Sequence, residues 1–206
     1  MTNKEGGDRS ARGFTLTELL VVMVIVSMLA AMLLPAVKAV REQGRSAACV
    51  NNLRQMGNAF FMYLQDNDET VMGRGDNAHP PFWFNALKPC LNNNTNVFRC
   101  LSNPNHQFNF SCLSYGYNIY IQGNSADVTL FIRHSSISKP AAKYFLMDSD
   151  GDKSVDYLVS SALPPNIESV GTRHKNGANV LFFDGHVNWF SAADLVVSDG
   201  WKDMTK

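Results

Sequence analysis

The chain has 206 residues, with 18 basic and 18 acidic side chains, so its formal net charge is zero. A balanced charge gives no basic surface of the kind that binding to nucleic acid requires. Beyond an N-terminal leader and an apolar segment, roughly 165 residues remain, enough for one domain with a single hydrophobic core. Composition therefore favours a one-domain protein and excludes nucleic acid as an expected partner.

The N-terminal segment combines a polar leader, residues 1–13, with a long apolar run. From Leu19 to Val37 only Ser27 and Pro35 interrupt the apolar residues, and a helix of this length spans the hydrocarbon core of a bilayer. The basic residues of the leader place it on the cytoplasmic side. The apolar core of a secretory signal peptide is usually shorter, so a single-pass anchor is favoured over a soluble product cleaved near Ala31.

The apolar run is predicted to open one long helix. Past Pro35, apolar residues recur at three- and four-residue steps as far as Leu64, while charged residues occupy the other faces. The pattern stops at residues 65–68, which are poor helix formers. We therefore expect a helix from about Phe14 to about Gln65, with an apolar first half for lipid or other copies and an amphipathic second half for the head.

The residues at the start of this run resemble a known signature. Gly13 is followed by Phe14-Thr-Leu-Thr-Glu18, and Pro35 lies further along the apolar run. This arrangement resembles the prepilin signature of type IV pilins and type II secretion pseudopilins. In that family a membrane peptidase cuts after the glycine and methylates the new N-terminal residue. The resemblance implies cleavage between Gly13 and Phe14, methylation of Phe14, and roles in assembly for Glu18 and Pro35.

Glu18 is costly to place beside a membrane-length apolar run, so it calls for a partner. After cleavage the amine of Phe14 would lie one helical turn away, and opposite charges attract strongly where the dielectric is low. The pair could close within one subunit. Alternatively, the amine of one subunit could reach the Glu18 of its neighbour, which the family is thought to use to set register. In the simplest alternative Glu18 lies at the level of the lipid headgroups and reaches water.

The four cysteines are an even number on the side expected to be extracytoplasmic: Cys49, Cys90, Cys100 and Cys112. This favours disulfides, with free thiols and then zinc as less favoured alternatives, since no C-x-x-C pair is present. Three pairings are possible, and the sequence does not choose among them. Cys49 lies in the predicted helix and the others in a loop-rich stretch, so one bridge could tie a loop to the helix.

Strand patterns follow a loop-rich connection over residues 71–114. The predicted strands are Tyr115–Tyr120, Thr129–Ile132, Lys143–Met147, Ala178–Phe183 and His186–Phe190. The last two are separated by Asp184-Gly185, a strong hairpin signal because both turn positions favour positive φ. A short helix is predicted over 191–197. We therefore expect an α+β fold, with the long N-terminal helix packed on a C-terminal antiparallel β-sheet.

Three head segments carry a second resemblance. His174 and, after nine intervening residues, Asp184-Gly185 resemble a C-terminal segment found in a large group of bacterial pilin-like proteins. Residues 49–57 and 98–102 resemble two further segments of that group, the latter with Leu101 in place of the usual proline. These segments imply membership of the group without stating a role.

Four aspartates are concentrated after the third predicted strand: Asp148, Asp150, Asp152 and Asp156. Calcium takes several oxygen ligands from such loops, although the spacing is not that of an EF-hand. The major pseudopilin of type II secretion is similar in using a calcium-binding loop in its head. Calcium is thus one hypothesis, and a solvated acidic turn is the favoured alternative.

His174 with Asp184, or with Arg173 and Asp148, could form an acid–base site. The chain has no recognisable nucleophile elbow and no H-E-x-x-H zinc motif, so catalysis is not expected. We interpret His174 as a strand-edge side chain that caps or bridges neighbouring backbone near the hairpin.

The predicted organisation follows from these segments. It consists of a leader (1–13), a transmembrane or filament-core helix half (14–37), an amphipathic helix half (38–66) and an extracytoplasmic head (67–206). The family resemblance implies a pilin or pseudopilin subunit in the inner membrane. The implied partners are prepilin peptidase, other pilin-like subunits, and an assembly platform with its ATPase. The alternative is a membrane-anchored extracytoplasmic enzyme or ligand-binding domain with an uncleaved anchor.

Overall fold

The computed structural model of the chain describes residues 14–75, 81–104, 107–108, 113–122, 131–150, 158–159, 170–197 and 200. It divides into two units, Met1–Arg41 and Glu42–Lys206. The predicted leader, residues 1–13, lies outside the described residues. The long helix α1, Leu16–Asp66, begins in the first unit and ends in the second. Its bounds agree with the predicted helix to within two residues.

The first unit presents an apolar helix surface. Side chains of α1 are exposed along the whole stretch from Leu16 to Val40, and the helix continues without interruption through Pro35. By length and composition, α1 is the one helix of the described residues that could cross a membrane. The apolar first half of the predicted helix is therefore confirmed.

In the second unit, α1 buries one stripe of side chains. Its members recur at three- and four-residue steps and are Cys49, Leu53, Met56, Gly57, Ala59, Phe60 and Leu64. Within the stripe, the ring of Phe60 lies 4.3 Å from that of Phe145 and 5.9 Å from that of Phe183, centroid to centroid. This stripe is the amphipathic face predicted from periodicity, although it begins at Cys49 while Ala47 is exposed.

The head contains a five-stranded sheet in the order β3-β1-β2-β4-β5. The strands are β1 Tyr115–Asn118, β2 Tyr144–Asp148, β3 Leu158–Val159, β4 Gly177–Phe182 and β5 Val187–Ser191. The pairs β1–β2, β2–β4 and β4–β5 are antiparallel, which confirms the predicted α+β fold. The two-residue β3 runs parallel to β1 and was not predicted.

Two strand predictions need correction. The first strand stops at Asn118 because the side chain of this residue accepts a hydrogen bond from the backbone N–H of Tyr120 at 3.1 Å, and a 3₁₀ turn follows. In the predicted strand 129–132, Thr129 and Leu130 lie outside the described residues, and the last two residues are not in a strand. Ile132 instead accepts a bond from the backbone N–H of Val71, just after α1, at 2.8 Å.

The β4–β5 hairpin is present, but its turn is wider than predicted. Phe182 accepts a bond from the backbone N–H of Gly185 at 3.0 Å, and Gly185 alone of the two turn residues has positive φ, at +90°. Asp184 uses its carboxylate instead to accept from the backbone N–H of His186 at 3.1 Å. A Cβ on Gly185 would lie 2.7 Å from a ring atom of Phe61, so the hairpin tip rests on α1.

Two short helices complete the described head. The helix α2, Trp83–Leu87, lies in the loop-rich connection and buries the indole of Trp83 completely. The helix α3, Ala192–Val197, follows β5 as predicted. Its first turn is capped by Ser191, whose hydroxyl oxygen accepts from the backbone N–H of Asp194 at 3.1 Å.

Candidate functional site

The predicted processing motif lies at the start of α1, where Thr15 and Glu18 form a reciprocal cap. The hydroxyl oxygen of Thr15 accepts from the backbone N–H of Glu18 at 3.3 Å. In return, the carboxylate of Glu18 accepts from the backbone N–H of Thr15 at 2.9 Å and from its hydroxyl at 2.8 Å. This is a capping box, in which a helix-terminal threonine and a glutamate three residues on satisfy backbone donors that the helix leaves free.

The cap gives Glu18 partners before any processing. Phe14, the residue before Thr15, is 87% exposed. The predicted pair between Glu18 and the amine of Phe14 requires cleavage and stays a prediction, and Gly13 lies outside the described residues. The sequence alone contained the signal for this cap, the Thr-x-x-Glu spacing of Thr15 and Glu18.

Beyond the cap, α1 has an apolar surface with polar groups satisfied internally. The hydroxyl of Ser27 donates to the carbonyl of Met23 at 2.6 Å, so the one polar side chain of the span bonds to its own helix. Pro35 lies inside the helix. A continuous apolar surface of this size is expected to be covered by lipid or by protein.

Comparison with known families identifies this region. A family model described as the prokaryotic N-terminal methylation motif matches residues 8–34. The chain carries the prepilin motif of the type IV pilin and pseudopilin family. Comparisons with curated proteins and with solved structures find no match. The motif and the apolar helix together indicate membrane anchoring, while the segment from His174 to Gly185 lies beyond the matched residues.

The head contains a second group of functional side chains, which we call the buried head cluster: Cys49, Cys100, Asp148 and His174. Each residue offers one sulfur, nitrogen or oxygen ligand atom, and these atoms all lie within 4.8 Å of one another. The side chains of the first three are fully buried, and that of His174 is 1% exposed. They come from α1, the segment after residue 98, the end of β2 and the turn before β4.

The imidazole of His174 joins these elements. Its Nε2 lies 3.3 Å from the Sγ of Cys100 and 4.0 Å from a carboxylate oxygen of Asp148. Its Nδ1 lies 3.1 Å from a carboxylate oxygen of Glu42 on α1, and that oxygen also accepts from the hydroxyl of Ser102 at 2.8 Å. The expectation that this side chain caps neighbouring backbone is therefore wrong, because its partners are side chains from three distant segments.

Asp148 is held by the neighbouring strand. Its Oδ2 accepts from the backbone N–H of Asn179 at 2.7 Å and from the side-chain amide of Asn179 at 3.0 Å. Among the described residues, its Oδ1 has no hydrogen-bond partner. Burial raises the pKa of Asp148 to about 6, although His174 and Arg173 act in the opposite direction.

Arg173 supplies a cation beside the cluster. Its guanidinium donates to the carbonyl of Ser149 and, at 3.1 Å, to the carbonyl of Ser114. Burial alone would lower the pKa of His174, but the contacts with Cys100, Asp148 and Glu42 raise it above its usual value. The Arg173 cation and the raised pKa of His174 therefore both favour positive charge next to the carboxylate of Asp148.

The two thiols also affect each other. A hydrogen bond from the Cys49 thiol, together with His174 and Arg173, lowers the pKa of Cys100. The same hydrogen bond, together with burial, raises the pKa of Cys49. Two thiols, one imidazole and one carboxylate are ligands that zinc accepts, so the cluster could hold a metal on ligand type alone.

Of the remaining predicted cysteine and calcium-site residues, the structure describes only some. Cys90 is half-buried in the 3₁₀ turn Pro89–Leu91, and Cys112 lies outside the described residues. No disulfide bond links the cysteines that the structure describes. Asp150 is half-buried, whereas Asp152 and Asp156 lie outside the described residues, so the calcium hypothesis stays untested. The structure does give Asp148 a different set of neighbours.

Proposed function

We propose that the chain is a structural subunit, a pilin or pseudopilin, of a filament of the type IV pilus or type II secretion kind. The observation that carries this proposal is the overlap of the matched motif, residues 8–34, with a helix whose apolar side chains are exposed from Leu16 to Val40. The subunit is proposed to work by assembly and not by catalysis.

Assembly follows from the physical chemistry of this helix. Apolar surface that leaves a bilayer must be covered again, because its exposure to water is unfavourable. Packing the same face against the helices of other subunits covers it, so the first half of α1 can pass from lipid to a filament core. The proposed partners are prepilin peptidase, other pilin-like subunits, and an inner-membrane assembly platform with its ATPase.

The proposed topology is a single pass through the inner membrane with an extracytoplasmic head. The leader carries basic residues that favour the cytoplasmic side, and the head begins where α1 acquires a buried stripe. In the assembled filament the heads face outward, where they can contact exported substrate or other subunits.

The test is the N-terminus of the mature protein. We expect co-expression with a prepilin peptidase to yield a chain that begins at methylated Phe14, as determined by mass spectrometry. The matched control is Gly13→Val, which we expect to leave Met1 in place. An intact Met1 in the unmodified chain, or cleavage after Ala31, contradicts the proposal and supports a signal anchor or a secreted product.

A further inference from the structure

We propose that Cys49 and Cys100 form a disulfide bond that ties α1 to the head beside His174. Their Sγ atoms lie 2.7 Å apart, and both side chains are fully buried. The two residues are 51 positions apart in the chain, so the bond would join the helix to the segment that follows residue 98. The inference assumes the extracytoplasmic location proposed above, where disulfides persist.

The distance between the sulfurs favours a disulfide over a zinc site. Zinc holds thiolates at about 2.3 Å, so two sulfurs on a tetrahedral ion are about 3.8 Å apart. Bonded sulfurs are about 2.05 Å apart. The observed spacing of 2.7 Å is nearer to the bonded value. A metal would require the two sulfurs to move apart to about 3.8 Å.

The charges around the site point the same way. Asp148 and Glu42 both face His174, and burying a negative charge without a partner is costly. A thiolate at Cys100 would add a further negative charge to this group, although the Cys49 thiol, His174 and Arg173 lower the pKa of Cys100. A disulfide carries none, which leaves the imidazolium of His174 to pair with the two carboxylates while Arg173 lies nearby.

The bond can form by thiol–disulfide exchange with an oxidised dithiol oxidoreductase. A thiolate of the pair attacks the disulfide of the oxidant and displaces one of its sulfurs, giving a mixed disulfide. The second thiolate then attacks the mixed disulfide, and the oxidant leaves as a dithiol. The pair loses two protons and passes two electrons to the oxidant. Because both sulfurs are fully buried, the exchange must precede the packing of the Cys100 segment onto α1.

The proposed disulfide lies beside a second set of contacts between α1 and the head. Glu42 lies seven residues before Cys49, two helical turns along α1, and bonds to His174 and Ser102. The helix is thus held at two adjacent points, once by hydrogen bonds and once by the proposed covalent bond. Such a clamp keeps the second half of α1 on the head when the first half is pulled into a filament.

The test is peptide mapping of the full chain, produced with its processing peptidase in an oxidising compartment and extracted from the membrane in detergent. Free thiols are alkylated under denaturing, non-reducing conditions before digestion. We expect one cross-linked pair of peptides containing Cys49 and Cys100, converted to two separate peptides by a reductant. The control Cys90→Ser is expected to retain this pair, whereas Cys49→Ser abolishes it and leaves Cys100 alkylated.

Three results would overturn the inference: alkylation of both Cys49 and Cys100 in the unmodified chain, a bond from either residue to another cysteine, or one zinc ion per chain released together with free thiols. Mapping of the unmodified chain decides the question even if Cys49→Ser does not fold. The N-terminus is read from the same sample. A chain that begins at Phe14 but carries free thiols refutes the disulfide and leaves the proposed function intact.

Discussion

The carboxylate of Glu18 accepts hydrogen bonds from both the backbone N–H and the hydroxyl of Thr15, at 2.9 and 2.8 Å. The residue that the prepilin motif associates with assembly therefore also caps α1 in the uncleaved chain. A glutamine can fill the same place in a capping box, but only a carboxylate can pair with a cationic amine. Substitution can thus separate the cap from the charge.

We expect Glu18→Gln to be cleaved and inserted into the membrane but to be excluded from filaments, because it keeps the cap and loses the charge. Thr15→Ala is the matched opposite, since it loses the hydroxyl half of the cap and keeps the charge, and we expect it to enter filaments normally. The measurement is the fraction of each variant in sheared, purified filaments relative to the membrane fraction. Normal incorporation of Glu18→Gln would remove the assembly role of the charge.

His174→Ala is expected to destabilise the head by about 3 kcal/mol or more, because it removes the partner of a buried carboxylate and leaves a cavity. Both His174 and Asp148 are almost completely buried. The control is His186→Ala, since the side chain of His186 is exposed and contacts the exposed carboxylate of Asp184 and the ring of Phe182. Urea unfolding of the full chain in detergent, followed by the fluorescence of buried Trp83, measures both effects. Equal stability of the two variants would refute a structural role for His174.

Sequence periodicity was enough to predict the long helix, because burial repeats at about 3.6 residues in a helix. Four of the strands were predicted from short runs of apolar, largely aromatic and β-branched residues beside turn residues. It did not predict the buried head cluster. Cys49, Cys100, Asp148 and His174 come from four separate segments, and only tertiary packing brings them together. The sequence contained one local indication of the cluster. Cys49 and Glu42, which bonds to His174, are two turns apart on one face of α1.

The turn of the hairpin shows a second limit. Asp184-Gly185 correctly predicted a hairpin, yet the sequence could not show that Asp184 would use its side chain to bond to His186. That bond gives the turn a different geometry from the predicted one. Similarly, β1 ends early at Asn118, whose side chain accepts a bond from the backbone of Tyr120. The pattern of apolar residues cannot predict such a bond.

The contribution of Asp148 to the stability of the head is expected to fall as pH rises from about 4 to about 6. Burial raises the pKa of Asp148 to about 6, above the value of about 3.9 in an unfolded chain. Between these values the folded state binds more protons than the unfolded state, so the free energy of unfolding decreases with rising pH.

Asp148→Asn tests this dependence, because an amide does not titrate and can still accept a bond from Asn179. Unfolding midpoints at pH 4 to 8 should decline less steeply for this variant below pH 6. Asp194→Asn, which removes one carboxylate from the exposed surface, is the matched control. A profile of Asp148→Asn that matches the unmodified chain would show that Asp148 has an ordinary pKa.

Gly185→Ala is expected to destabilise the head by about 1–3 kcal/mol, since φ is +90° there and an added Cβ would lie 2.7 Å from the ring of Phe61 on α1. Gly44→Ala is the matched control, because nothing lies within 4 Å of its added Cβ. Within α1 it should stabilise by about 0.5–1 kcal/mol. Thermal unfolding of the two variants should therefore shift in opposite directions. A Gly185→Ala variant as stable as the unmodified chain would show that the hairpin tip does not rest on the helix.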